Sequence, residues 1–172
     1  MLTKFRGEKY HRIDNNFRLS MPREFADIFR ETSQGKIVIT RGFEHCLWIF
    51  PATIYENIIQ RLSTLPLFKK EPMRLRTLYI GSITETELDK QGRIVLPKHL
   101  LQFAEIEQEI VLVGESSRLQ LWSAANWQRY LEYINTNADD IAERMSDLFE
   151  KQTVADGPLI TEKPEEDLSD LT

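Results

Sequence analysis

Apolar and polar positions along this chain switch between two periods, and the switching order is run through twice. Near the start, Tyr10-His-Arg-Ile-Asp14 is a short strand candidate, a turn spans Asp14 to Arg18, and Arg18-Leu-Ser-Met21 is a second strand. Alternation sets Leu19 and Met21 on one face and Arg18 and Ser20 on the other. Pro22 opens a short helix to about Phe29, because its missing N–H costs nothing in a helix's first turn. Ile37–Thr40 and Leu47–Phe50 read as strands joined by a turn carrying Gly42. Thr53 is placed to cap a helix through Leu62, with Ile54, Ile58 and Leu62 at helical spacing.

The second pass begins at Leu88. Ile94 and Leu96 take the inward positions, Pro97 opens a helix to about Phe103, and Ile110–Val113 and Arg118–Trp122 flank a turn with Gly114. Ser123 is placed to cap a helix containing Trp127 and Leu131. Between the passes, Ser63 to Lys70 is a linker holding Pro66, and Met73–Ile80 reads as a helix. Its basic stretch, Lys69 to Arg76, reads as a solvated face. Asn137 could cap a last helix with Ile141, Met145, Leu148 and Phe149 on one side. From Thr153 onward glycine and prolines sit among acids, which predicts a mobile tail.

The two passes are a duplication. Residues 13–23 and 88–98 match position by position: Asp14 with Asp89, Arg18 with Arg93, Pro22 with Pro97, Arg23 with Lys98. Ile13, Leu19 and Met21 match Leu88, Ile94 and Leu96, and the likeness continues through both later strands with small gaps. A repeated unit of this size is a supersecondary module rather than a full domain.

Charge refines this picture. The net charge of −5 is unevenly spread: residues 139–172 carry 11 acids and 3 bases, whereas residues 1–23 carry 6 bases and 2 acids. A basic N-terminal region with an acidic tail suits an anionic partner, and equally a solvated surface with a solubilising tail. The single cysteine, Cys46, leaves no internal disulfide and no multi-cysteine zinc site. No apolar run reaches the ~18 residues of a membrane span, and the first residues lack a signal-like apolar stretch, so a cytosolic location is expected. Phosphate-binding glycine loops, nucleophile elbows and HExxH are missing from the sequence. His45 beside Cys46 lacks further soft ligands nearby, and a packed cysteine next to a surface histidine explains the pair.

The chemistry therefore rests on the Asp-x-x-x-Arg turns. Arginine carries a planar, permanently charged fork that fits phosphate oxygens or a guanine edge. The aspartate can accept the turn's backbone N–H groups and can pair with the arginine to aim it. Gly92 is free to take positive φ in the second turn, whereas Phe17 at that place would be strained. The expectation is that Asn15 or Asn16 turns left-handed instead and that the two turns differ in shape. The pattern alone reads equally as two exposed ion-paired turns, worth about 0–1 kcal/mol each.

The paired turns with their following prolines, together with Phe5-Arg-Gly, Thr40-Arg-Gly, Cys46-Leu-Trp-Ile-Phe-Pro51 and Leu88-Asp-Lys-Gln-Gly-Arg-Ile-Val-Leu-Pro97, resemble the MraZ family of bacterial transcriptional regulators. The likeness runs from about Lys4 to about Trp127. Asp14-Asn-Asn-Phe-Arg18 departs from the Lys and Gly usual inside the family's turn. The resemblance implies an α+β fold of two AbrB-like (SpoVT-AbrB) half-barrels, interleaved as a pseudo-symmetric swapped-hairpin β-barrel with peripheral helices. It implies ring homo-oligomers that bind G-rich direct repeats in double-stranded promoter DNA, upstream of the division and cell wall gene cluster, and usually repress it. Arg18 and Arg93 map onto the DNA-contacting arginines, and Asp14 and Asp89 onto the acids of the same motif. Lys4, Arg6, Lys9, Arg12 and Arg23 would serve phosphates, which position without specifying.

The expected organisation is a first repeat over 1–55, connecting helices over 56–80, a second repeat over 81–127, a helical segment over 128–152 and an acidic tail over 153–172. The expected function is sequence-specific regulation, not catalysis, with no cofactor, metal, membrane or small-molecule substrate, in the cytoplasm and on the nucleoid. The alternative is an antitoxin-like protein-interaction module of the same fold.

Overall fold

The computed structural model describes residues 5–146. In chain order the elements are β1 (Phe5–Arg12), β2 (Arg18–Ser20), α1 (Arg23–Ser33), β3 (Lys36–Arg41), β4 (Leu47–Pro51), α2 (Ala52–Ser63), α3 (Lys70–Gly81), β5 (Thr84–Glu87), β6 (Arg93–Val95), α4 (Lys98–Phe103), β7 (Glu109–Ser116), β8 (Arg118–Ser123) and α5 (Ala124–Thr136). The duplication is thus strand, strand, helix, strand, strand, helix, with α3 between the copies.

The copies are α+β and they exchange strands. A six-stranded antiparallel sheet has the order β1-β7-β8-β4-β3-β5, and β2 pairs with β6 in a separate ribbon. The first strand of each copy pairs with the third strand of the other: β1 with β7 over eight residue pairs, β5 with β3 over four. Neither copy can satisfy its own strands alone, which makes the duplication one folding unit. Apolar faces from both copies close a shared core in which Phe5, Leu19, Phe29, Ile39, Leu100 and Leu121 are fully buried. The Phe5 and Phe29 rings lie 4.9 Å apart.

Two compact units divide the chain, Met1–Tyr130 and Leu131–Thr172. The first contains both sheets. In the second, residues 138–146 are helical. The Asn137 side chain donates from Nδ2 to the Tyr133 carbonyl at 2.8 Å, and its own carbonyl accepts the Ile141 N–H at 2.9 Å, which sets Asn137 at the start of that helix. Lys4, Leu148, Phe149 and the acidic stretch from Thr153 lie outside the described residues.

Four local expectations change. α2 begins at Ala52 behind Pro51, whose φ of −57° is already helix-compatible; Thr53 lies inside the helix and donates to the Thr32 carbonyl at 3.2 Å. Gly114 belongs to β7, and the tight turn lies beyond it at Ser116, whose φ is +55°. β1 is longer than the apolar pattern suggests, because seven of its eight residues are exposed and ladder pairing alone keeps them extended. Arg76 is not a solvated charge: it donates to the carbonyls of Leu65, Pro66 and Leu67, tying the linker to α3. Ser123 does cap α5, accepting the Asn126 N–H at 3.2 Å.

Candidate nucleic-acid interface

The two Asp-x-x-x-Arg turns are built by the same hydrogen bonds. Asp14 Oδ1 accepts the N–H groups of Asn16 and Arg18 at 2.8 and 2.9 Å; Asp89 Oδ1 accepts those of Gln91 and Arg93 at 2.8 and 2.9 Å. The Phe17 N–H bonds the Asp14 carbonyl as the Gly92 N–H bonds that of Asp89. The expected difference in shape is absent. Phe17 takes φ +60° and Gly92 φ +75°, so the left-handed position falls on the phenylalanine and not on Asn15 or Asn16. Its strain is offset because the ring packs against the core and Lys98 Nζ lies 5.0 Å from its centroid.

Strands β2 and β6 then hold the turns side by side. Leu19 sits opposite Ile94, both buried, while Arg18 faces Val95 and Ser20 faces Arg93 on the outer side. Arg18 and Arg93 are diagonal neighbours on that face, about 7–8 Å apart along the ribbon. Cross-bonds lock the turns together: Met21 N–H to the Gly92 carbonyl at 2.9 Å, and Leu96 N–H to the Phe17 carbonyl at 2.8 Å.

The arginines are held differently. Arg93 Nε donates to Asp89 Oδ2 at 2.8 Å. The exposed Arg18 guanidinium has no such partner among the described residues. The Arg93 backbone N–H, helped by its guanidinium and the Gln91 N–H, holds the Asp89 carboxyl below the usual carboxylate range despite some desolvation. The folded pKa lies below the unfolded value of about 3.9. The resulting stabilisation is complete above that pH and is lost as pH falls through the folded value. Asp89→Asn should therefore be less stable than the parent at neutral pH, with a gap that narrows below about pH 4. Urea denaturation across that range checks this; a gap independent of pH would assign the loss to turn geometry alone.

The remaining proposed phosphate ligands spread outward. Arg12 ends β1 and donates from Nη2 to Gln108 Oε1 at 2.9 Å, with Glu109 at 4.0 Å. Lys9 pairs with Glu24 at 2.8 Å, and Arg23, 94% exposed at the start of α1, stands 3.8 Å from Asp27. Arg6 lies opposite Glu115, at the far end of β1 from Arg12. The structure therefore brings Arg18, Arg93 and Arg12 toward one region, with Arg6 at the opposite end of its strand.

Three residues at the turns escaped the sequence reading. Lys98 covers Phe17, Arg30 lies against Gly92, and Gln108 donates from Nε2 to Asn15 Oδ1 at 2.9 Å. Lys98 was findable, since it is the repeat partner of Arg23. All three act across copies, where linear spacing carries no signal, and Arg30 and Gln108 have no such repeat partner to mark them. Elsewhere, burial pushes the Cys46 thiol up to about 12, and His45 Nδ1 lies 3.2 Å from the Phe103 carbonyl. That environment makes Cys46 a packed thiol rather than a ligand or nucleophile.

Comparison with known proteins fits this geometry. A family model described as "MraZ protein, putative antitoxin-like" matches residues 4–77 and again 80–149, one match per copy. The chain is 35% identical over 144 residues to Transcriptional regulator MraZ of Halothermothrix orenii, covering 84% of this chain and 98% of that protein. It is 38% identical over 144 residues to the protein of the same name from Lactobacillus gasseri, again 84% and 98%. For that of Moorella thermoacetica the identity is 36% over 143 residues, covering 83% and 97%. These relatives are named for regulation of transcription and not for an enzymatic activity. With both copies matched and nearly the full length of each relative covered, the chain belongs to the MraZ family of transcriptional regulators.

Proposed function

We propose that the protein is a sequence-specific DNA-binding repressor of its own operon, in the division and cell wall gene cluster, acting on G-rich direct repeats. The observation that carries this is the β2–β6 ribbon, which sets two hydrogen-bonded Asp-x-x-x-Arg turns together with the Arg18 fork unoccupied among the described residues. Arg18 and Arg93 read guanine edges, at about 1–3 kcal/mol of discrimination for each bidentate contact. Asp14 and Asp89 shape the turns. Lys4, Arg6, Lys9, Arg12 and Arg23 hold phosphates and set register.

The exchange of first and third strands between copies supports the swapped-hairpin reading, in which the sheet and the ribbon wrap as one pseudo-symmetric barrel. One chain offers few cations, so affinity comes from repetition. A ring of copies presents the turns at regular intervals, and matched spacing adds roughly 10²–10⁴ in avidity. Around the α2–α3 connection, Leu67, Phe68 and Met73 are exposed, 66%, 100% and 51%, an apolar area suited to contact with a neighbouring copy. The working location is the cytoplasm, on the nucleoid.

Transcription in vitro from the operon's own promoter, with and without protein, tests the regulatory sign. The expected result is a dose-dependent loss of transcript that scrambling the repeats abolishes. Transcription insensitive to the protein, with equal weak binding to both DNAs, would favour the antitoxin-like reading and a protein partner.

A further inference from the structure

Around the turns, one side-chain chain has no counterpart in the other copy. Arg12 Nη2 donates to Gln108 Oε1 at 2.9 Å, and Gln108 Nε2 donates to Asn15 Oδ1 at 2.9 Å. The direction of each bond is set by chemistry. Guanidinium can only donate, so the Gln108 oxygen faces Arg12 and its amino group faces Asn15. With its oxygen engaged, Asn15 keeps its NH2 as the group to offer an acceptor. The backbone beneath is symmetric: Ile13 N–H bonds the Gln108 carbonyl at 3.0 Å, as Leu88 N–H bonds the Gly35 carbonyl at 3.0 Å. Glycine at 35 has no side chain to repeat the bridge. The second turn is steadied instead by the Arg93–Asp89 pair.

We propose that Gln108 is a positioning residue for DNA binding by the first turn: it links the phosphate-holding Arg12 to Asn15, so that Asn15 and the turn bearing Arg18 are set in one orientation before DNA arrives. The two turns thereby divide the work. In the second turn the arginine is tethered to its own aspartate; in the first the flank is braced by Gln108 and the arginine is available. Ordering both groups in advance removes part of the entropy cost of the contact. This rests on the DNA-binding reading above.

The test uses the full-length protein and a duplex of the G-rich repeats, with Gln108→Ala, Asn15→Ala, Arg12→Ala and the Gln108→Ala/Asn15→Ala double variant. Gln108 is exposed, so the variants are expected to keep the parent's thermal unfolding temperature. Gln108→Ala should weaken binding about three- to tenfold, the range of one or two hydrogen bonds. Its salt slope should match the parent's, because no charge is removed, whereas Arg12→Ala should lower that slope by about one. The double variant should bind no worse than the weaker single one, the signature of residues acting through each other. Unchanged binding by Gln108→Ala, or full additivity with Asn15→Ala, overturns the proposal. Arg18→Ala distinguishes the two levels: if it too binds as the parent does, the DNA reading fails; if it alone fails to bind, only the role of Gln108 is lost.

Discussion

Arg18→Ala should lose at least about a hundredfold in affinity for a duplex of several G-rich repeats while assembling and unfolding as the parent does. One bidentate fork is worth about 1–3 kcal/mol, and each further turn engaged by the assembly multiplies the deficit. Stability should not follow, because the side chain is exposed and holds no ion pair among the described residues. Arg93→Ala should lose less. Its guanidinium already serves Asp89, so binding a base means sharing or breaking that 2.8 Å contact. Fluorescence anisotropy at fixed salt measures both variants, with sedimentation velocity to follow assembly. An Arg18→Ala protein that no longer assembles would instead assign Arg18 to a contact between copies.

The second large effect concerns stability. A Cβ at Gly114 would run into the Arg6 backbone nitrogen and stand 2.6 Å from the Phe5 carbonyl carbon. These are main-chain atoms of the paired strand β1, not the movable end of a side chain. Gly114→Ala must therefore push β1 away from β7, and β1 anchors the buried Phe5 against Phe25 and Phe29. The expected loss is at or above the upper end of the roughly 1–3 kcal/mol that overpacking costs. Denaturant titration checks it. DNA affinity should fall as well, since β1 ends at Arg12 beside the first turn. An alanine variant as stable as the parent would mean that the two strands are not so closely joined.

How legible was this in the sequence? The duplicated order was legible because its marks are chemical: proline at each helix start, aspartate and arginine at the ends of each turn, alternation in β2 and β6. The exchange of strands between copies was not readable from periodicity. It depends on which strand satisfies which backbone, and came only with the family resemblance. Phe17 misled for a physical reason. Local sterics disfavour a left-handed phenylalanine, but the hydrogen bonds shared with the Gly92 turn, core packing and Lys98 outweigh that preference. Gln108 was invisible because its contact with Asn15 spans 93 positions and its repeat partner is a glycine.

One titration tests multivalent DNA recognition most directly: anisotropy of the full-length protein against duplexes of one, two and four G-rich repeats and a scrambled control, repeated over several salt concentrations. The predicted result is affinity that rises steeply with repeat number, with a salt slope that grows as more phosphates are held. Equal, weak, strongly salt-dependent binding to every duplex, scrambled included, would contradict it.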